Sequence, residues 1–273
     1  MFGIIRESFR ITNNYISIAT PLILFSLIST LYLVFSSGGN KLGLIFTLFL
    51  FFLMTGAFLS GWFYMTAQAV RSPENDENSS LISEFPAGVG EYFLSILAFL
   101  FNLILISSII IIAVVLLGKK FIGNPGISYV QIVNASGSVE AMKTLLSSLS
   151  NEQLAKINAW NFLFMLAMFF NYFLVMFYAP SIFFKQKNPF ISLFVSLKDL
   201  FCRHFFKNIA LYLFISISYL CLSVISALIG SNIFIHFILT LVNFYYITFI
   251  IVLIFNYYYS NYIKIGATID KTV

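Results

Sequence analysis

Six stretches of this chain are apolar for about 20 residues or more, the length a helix needs to cross the hydrocarbon core of a bilayer. They run over 15–36, 43–65, 92–117, 159–184, 208–230 and 232–262. The expected fold is therefore all-α, a polytopic membrane helix bundle of six transmembrane helices with cytoplasmic interfacial elbow helices. It occupies 1–273 as a single integral membrane domain. Only 9% of the residues are charged, against about 25% in soluble domains, and no other stretch is apolar enough to build a second core. The first run is too long for a signal-peptide core and lacks a small-residue cleavage site, so it reads as a retained span. The last exceeds what a bilayer requires and is expected to tilt or project.

Basic residues in the connections orient the bundle. With the N-terminus inside, ten of the 15 lysines and arginines lie on the cytoplasmic side, all four arginines among them. Both termini are then cytoplasmic, in a multi-pass protein of a bacterial inner membrane. Trp62, Tyr257, Tyr258, Tyr259 and Tyr262 fall at inner span ends and Trp160 at an outer end, where headgroup anchoring is expected. The formal charge of +5 comes from these flanks, and no basic patch with interleaved aromatics points to nucleic acid. Cys202 and Cys221 would lie about 28 Å apart along a helix and read as unpaired apolar fillers.

The turn "SSGGNK" and the pair Gly230 and Ser231 each close a helical hairpin. The outer loop, 118–158, carries Val139, Met142, Leu145, Leu146, Leu149, Leu154 and Ile157 at roughly helical intervals. Ser150 with Gln153 forms a capping-box pattern, so one or two amphipathic helices are expected there. Between spans two and three, Glu74, Asp76 and Glu77 mark a solvated acidic loop.

The stretch "APSIFFKQKNPFISLFVSLKDL" interrupts the apolar pattern between spans four and five. Lys185 and Lys187 act as a stop for span four, with Pro180 at its edge, and Asn188 with Pro189 starts a new helix. Ser192, Ser196, Asp199 and Arg203 then form a single polar stripe, while Ile191, Phe194, Val195, Leu200, Phe201, Phe205 and Phe206 fill the remainder. This predicts an interfacial elbow helix with its polar face in water and an exposed Asp199–Arg203 pair contributing about 0.3–0.5 kcal/mol. A second elbow is expected at the N-terminus, with Phe2, Ile5 and Phe9 on one face and Arg6, Arg10 and Asn13 on the other. A third precedes span three at "ISEFPAGVGEYFLSI", making three units of elbow plus hairpin.

Ala179-Pro180, the polar stretch after it, and a helix with serines on successive turns, Ser192 and Ser196, carry a resemblance. The segment resembles a group of bacterial six-span proteins that includes the YciC-like inner-membrane family and the membrane domain attached to some glycerophosphodiester phosphodiesterases. The resemblance implies a six-helix integral membrane domain. It does not imply phosphodiesterase activity, because the acidic and histidine residues of that soluble barrel have no counterpart here.

No ionisable residue lies near the middle of a span, which argues against coupling through a buried carboxylate. The interior polar residues include Asn102, Asn161, Asn171, Asn243 and Asn256, suited to hydrogen bonding between helices. Asn102, Asn171 and Asn243 are also the candidates for a shared polar cavity that would accept a headgroup or small solute. In "TGAFLSG", Gly56 with Ser60 and Ala57 with Gly61 permit close helix packing. Metalloprotease, nucleotide-binding, rhomboid-like and zinc signatures are missing, and His204 and His236 stand alone. The expectation is no catalytic, metal or cofactor residues. The leading reading is a non-enzymatic scaffold, assembly or lipid-interacting component of the bacterial envelope, its partners membrane lipids and a protein at the cytoplasmic face. The alternative is a transport component, a permease subunit working with a separate ATPase.

Overall fold

The computed structural model describes residues 1–36, 41–72, 78–202, 204–228 and 233–264. Most of the "SSGGNK" turn, the Gly230–Ser231 connection, the acidic run Glu74 to Glu77, and Arg203 lie outside them. The elements are α1 (Phe2–Asn14), a 3-10 turn (Ile16–Ile18), α2 (Ala19–Ser36), α3 (Lys41–Arg71), α4 (Asn78–Phe121), α5 (Tyr129–Ser136), α6 (Val139–Ser148), α7 (Asn151–Val175), α8 (Tyr178–Phe184), α9 (Pro189–Cys202), α10 (Phe205–Leu228), α11 (Ile233–Tyr258) and a terminal π-helical turn (Tyr259–Lys264). Among the described residues six helical segments are long and apolar enough to span a bilayer. The chain is an all-α, multi-pass integral membrane protein.

Two compact units are present, Met1–Asn102 with Leu174–Val273, and Leu103–Phe173. In the first, α2 pairs with α3, and α1 and α8 pack on the later helices. Its core holds Trp62, Met65, Ile96, Phe177, Tyr178, Leu211 and Leu253. Polar side chains in the apolar helices close onto the preceding turn: Thr55, Ser60 and Thr66 donate to the carbonyls of Phe51, Gly56 and Trp62.

The glycines of α3 and α4 explain how closely these helices approach. A Cβ at Gly61 would lie 2.6 Å from the Phe85 ring, and one at Gly56 would lie 2.5 Å from Leu97. Small residues at this spacing let helix backbones pack together in lipid, where apolar burial supplies little drive. The "TGAFLSG" motif thus serves packing within the chain.

The third elbow does not exist as a separate element. The helix runs unbroken from Asn78 to Phe121, with Pro86 inside it. One missing amide costs a single helical hydrogen bond, and the flanking turns continue where neighbouring helices support them.

In the second unit, Gly123 takes φ 79° just past the end of α4, and its amide donates to the Gly118 carbonyl at 3.0 Å. That left-handed cap is the standard use of glycine after a helix. Trp160 of α7 lies against Gly118 and donates from Nε1 to the Gly123 carbonyl at 3.0 Å. The tryptophan therefore has a protein partner for the group that was expected to reach headgroups.

The loop contains two short helices, α5 and α6, and the capping box is present: the Gln153 amide donates to Ser150 Oγ at 3.2 Å while Ser150 N donates to Gln153 Oε1 at 3.0 Å. A second capping box joins Ser128 and Gln131. Ser150→Ala is expected to weaken the start of α7 by about 1 kcal/mol, so amides of its first turn should exchange about fivefold faster. Hydrogen exchange of the α5 cap provides the internal control, and equal protection of α7 in both proteins would contradict the role.

Candidate functional site

Span four is not one helix. The chain leaves helical geometry at Phe177 (φ −96°, ψ 2°) and resumes as α8. Pro180 occupies the first turn of α8, where its missing amide has no helical partner, so it helps restart a helix and does not end the span. The end comes at Lys185, and Arg71 reaches in from α3 to donate to the Phe183 carbonyl at 2.8 Å. A cation at that place offsets the exposed carbonyls of a helix C-terminus.

Asn188 starts α9 as its sequence predicts, Oδ1 accepting from the amides of Phe190 (3.0 Å) and Ile191 (3.4 Å). The polar stripe forms one face, but that face points into the protein. Ser192, Ser196 and Asp199 are buried, whereas Phe190, Ile191, Phe194 and Phe201 are exposed, Phe194 to 72%. The inversion follows from the solvent: outward lies an apolar medium, so polar groups gain more from partners inside the bundle. Asp199 pairs with Lys185, Nζ to Oδ2 at 2.6 Å; the expected pair with Arg203 lies outside the described residues.

Around this pair the sequence supplies a third element. Tyr258 donates to the same Asp199 Oδ2 at 2.6 Å, and Lys185 Nζ sits 5.3 Å and 5.4 Å from the ring centres of Tyr258 and Tyr262. The ammonium is held by a carboxylate and two π faces together. Asn208, in the first turn of α10, donates to the Leu200 carbonyl (2.8 Å) and the Asp199 carbonyl (3.3 Å), capping the end of α9. Its Oδ1 accepts from Tyr257 and Tyr262, each at 2.9 Å. Those tyrosines are five residues apart and would diverge on an ideal α-helix; the π-helical turn, with its i to i+5 spacing, brings both onto one acceptor.

Tyr257, Tyr258 and Tyr262 are accordingly buried and are not headgroup anchors. Trp62 is likewise buried, donating from Nε1 to the Ile18 carbonyl at 2.9 Å. Position near a span end, the only signal read for these rings, does not distinguish an outward ring from an inward one. Asn208 was overlooked, though an asparagine in the first turn of an apolar span was the available signal.

Two of the three candidate asparagines donate to partners within their own unit. Asn102 is buried and donates to Tyr178 Oη at 2.7 Å, which donates to the Pro189 carbonyl at 2.9 Å, so it belongs to the α8–α9 joint. Asn171 donates to Ser107 Oγ at 2.9 Å within the second unit. Asn243 lies half-buried on α11.

The N-terminal elbow repeats the arrangement of α9. Ser8, Ile11 and Thr12 are buried, Phe9 is exposed and Phe2 is 90% exposed. Asn256 of α11 donates to Ser8 Oγ at 3.0 Å, and Tyr245 donates to Asn13 Oδ1 at 2.6 Å. Each elbow thus turns hydroxyls one helical turn apart, Ser8 with Thr12 and Ser192 with Ser196, toward the interior and phenylalanines outward.

Chemically, the joint is a filled polar clamp. Its carboxylate and ammonium neutralise each other, and its phenols are committed to carboxylate, carbonyl and amide acceptors. Among the described residues no group of three or more His, Cys, Asp or Glu could hold a metal ion. Compared with known proteins, the chain matches no family model, no curated protein and no solved structure.

Proposed function

We propose that this integral membrane protein is a non-enzymatic, lipid-interacting scaffold of a bacterial cytoplasmic membrane, with its elbows and termini at the cytoplasmic face. It is also proposed to be related to the six-span proteins that its Ala179-Pro180 and Ser192/Ser196 segment resembles. The carrying observation is the outward set of the two elbows: Phe2 and Phe9 on α1, and Phe190, Phe194 and Phe201 on α9, are exposed while Ser8 and Thr12, and Ser192, Ser196 and Asp199, are buried. Arg6, Arg10, Lys198 and Lys207 are exposed on or beside the same elements. Apolar rings flanked by basic residues suit the boundary between acyl chains and anionic headgroups. The permease alternative requires an elbow that offers its specific contacts to a soluble ATPase, and Ser192, Ser196 and Asp199 of α9 are buried inside the bundle.

Purification of the intact protein in mild detergent tests this reading. The expected species carries phospholipid, shows no ATP hydrolysis, and loses about half of that lipid when Phe190, Phe194 and Phe201 are all changed to serine. A co-purifying ATPase, or lipid content indifferent to the triple substitution, would overturn it.

A further inference from the structure

Two cavities lie along the first turns of α4, both also lined by α3. One is a groove of about 440 Å³ lined by Pro21, Phe25, Ile28, Met54, Ala57 and Phe85, apolar except for Thr20 at its wall. The other is a pocket of about 340 Å³ lined by Tyr15, Tyr64, Gln68, Ser72 and Glu84. Both fall in the size range of small-molecule sites, about 300–1,000 Å³. Both draw on the start of α4, where Leu81 and Glu84 line the pocket while their sequence neighbours Ile82 and Phe85 line the groove. An apolar slot beside a polar pocket suits the two parts of a lipid, an acyl chain for the slot and a headgroup for the pocket.

The pocket's chemistry selects the headgroup. Glu84 is its charged lining residue, half-buried, and neither the Glu84 carboxylate nor the Gln68 side-chain amide is hydrogen-bonded to another described residue. Tyr15 donates to the Ser72 carbonyl at 2.8 Å, and Tyr64 adds a second aromatic wall. A carboxylate, an amide oxygen and ring faces suit a group with several N–H donors and a positive charge. A headgroup carrying only hydroxyls beyond its phosphate can hydrogen-bond to Glu84 but brings no positive charge to pair with it, and a quaternary ammonium has no N–H to donate.

We infer that this groove and pocket form a binding site for a glycerophospholipid whose headgroup ends in a primary amine, with Glu84 as the counter-ion of the ammonium and the Ala57–Phe85 slot holding an acyl chain. The inference deepens the lipid-interacting reading and rests on it.

The test uses the full-length protein, delipidated and titrated by native mass spectrometry with dioleoyl lipids bearing ethanolamine, choline or glycerol headgroups. Binding of the ethanolamine lipid is expected to be about tenfold tighter than that of the other two, from one charge-assisted contact. Glu84→Gln, which keeps a hydrogen-bond acceptor but removes the counter-ion, should remove most of that preference. Ala57→Phe, which fills the slot, should weaken all three. Gln68→Leu gives a milder loss of the preference and serves if Glu84→Gln does not fold. Headgroup-indifferent binding by the native protein, or a preference that survives both pocket substitutions, overturns the site. The scaffold reading fails on different grounds, by a co-purifying ATPase, and lipid held at the elbows would persist if this site alone were wrong.

Discussion

Replacing Asp199 with alanine is expected to destabilise the folded protein by about 3 kcal/mol, because it leaves a charged lysine and a buried phenol without their common acceptor. Lys185 Nζ and Tyr258 Oη both lie 2.6 Å from Asp199 Oδ2. The side chain of Asp199 is 7% exposed and that of Lys185 23%, so water reaches the lysine only in part. That residual exposure places the effect at the low end of what breaking a buried ion pair costs. Changing both partners, with Lys185→Met and Asp199→Leu, should recover about 2 kcal/mol or more, since an apolar pair leaves no orphaned charge. Unfolding of the purified protein by denaturing detergent, analysed as a double-mutant cycle, measures the coupling directly. If Asp199→Ala unfolds no earlier than the native protein, or the double variant is worse than the sum of the single ones, the clamp has been misjudged.

The second large effect is expected at Gly88. A Cβ there would lie 2.5 Å from the Cβ of Tyr64 and 2.9 Å from the Ser60 carbonyl oxygen. Neither atom is the end of a flexible side chain, so α3 and α4 must move apart to admit it. Separation also loosens the contacts that Gly61 makes with Phe85 and Gly56 makes with Leu97. Gly88→Val should therefore cost about 3 kcal/mol, at the upper end of overpacking effects. Gly90, two residues on, has no atom within 4 Å of its would-be Cβ, so Gly90→Ala should stay within about 1 kcal/mol of the native protein. The same detergent unfolding assay compares them, and similar behaviour of the two variants would remove close packing as the explanation.

How far the fold was legible differs from element to element. The six spans follow from apolar length alone, because the bilayer sets that length and no tertiary contact is needed to read it. Asn188 and the Ser150–Gln153 box were equally readable, since a cap bonds to amides within three residues of itself. The third elbow was misread: Pro86 and two glycines signal a break, yet α4 passes through them with α3 packed alongside. Of the candidate asparagines, Asn102 alone joins the α8–α9 network, and its partner Tyr178 lies 76 positions away, beyond any local pattern.

The α9 elbow separates the two kinds of knowledge most clearly. Spacing by itself determined that Ser192, Ser196 and Asp199 share one helical face, since a helix repeats every 3.6 residues whatever surrounds it. Which way the face points was decided only by tertiary structure. Lys185, Asn208 and Tyr258 meet Asp199 from three other elements, and a carboxylate that finds a cation and a phenol inside is more stable there than facing hydrocarbon. Periodicity carries the phase of a helix; its rotation is set by partners distant in the chain.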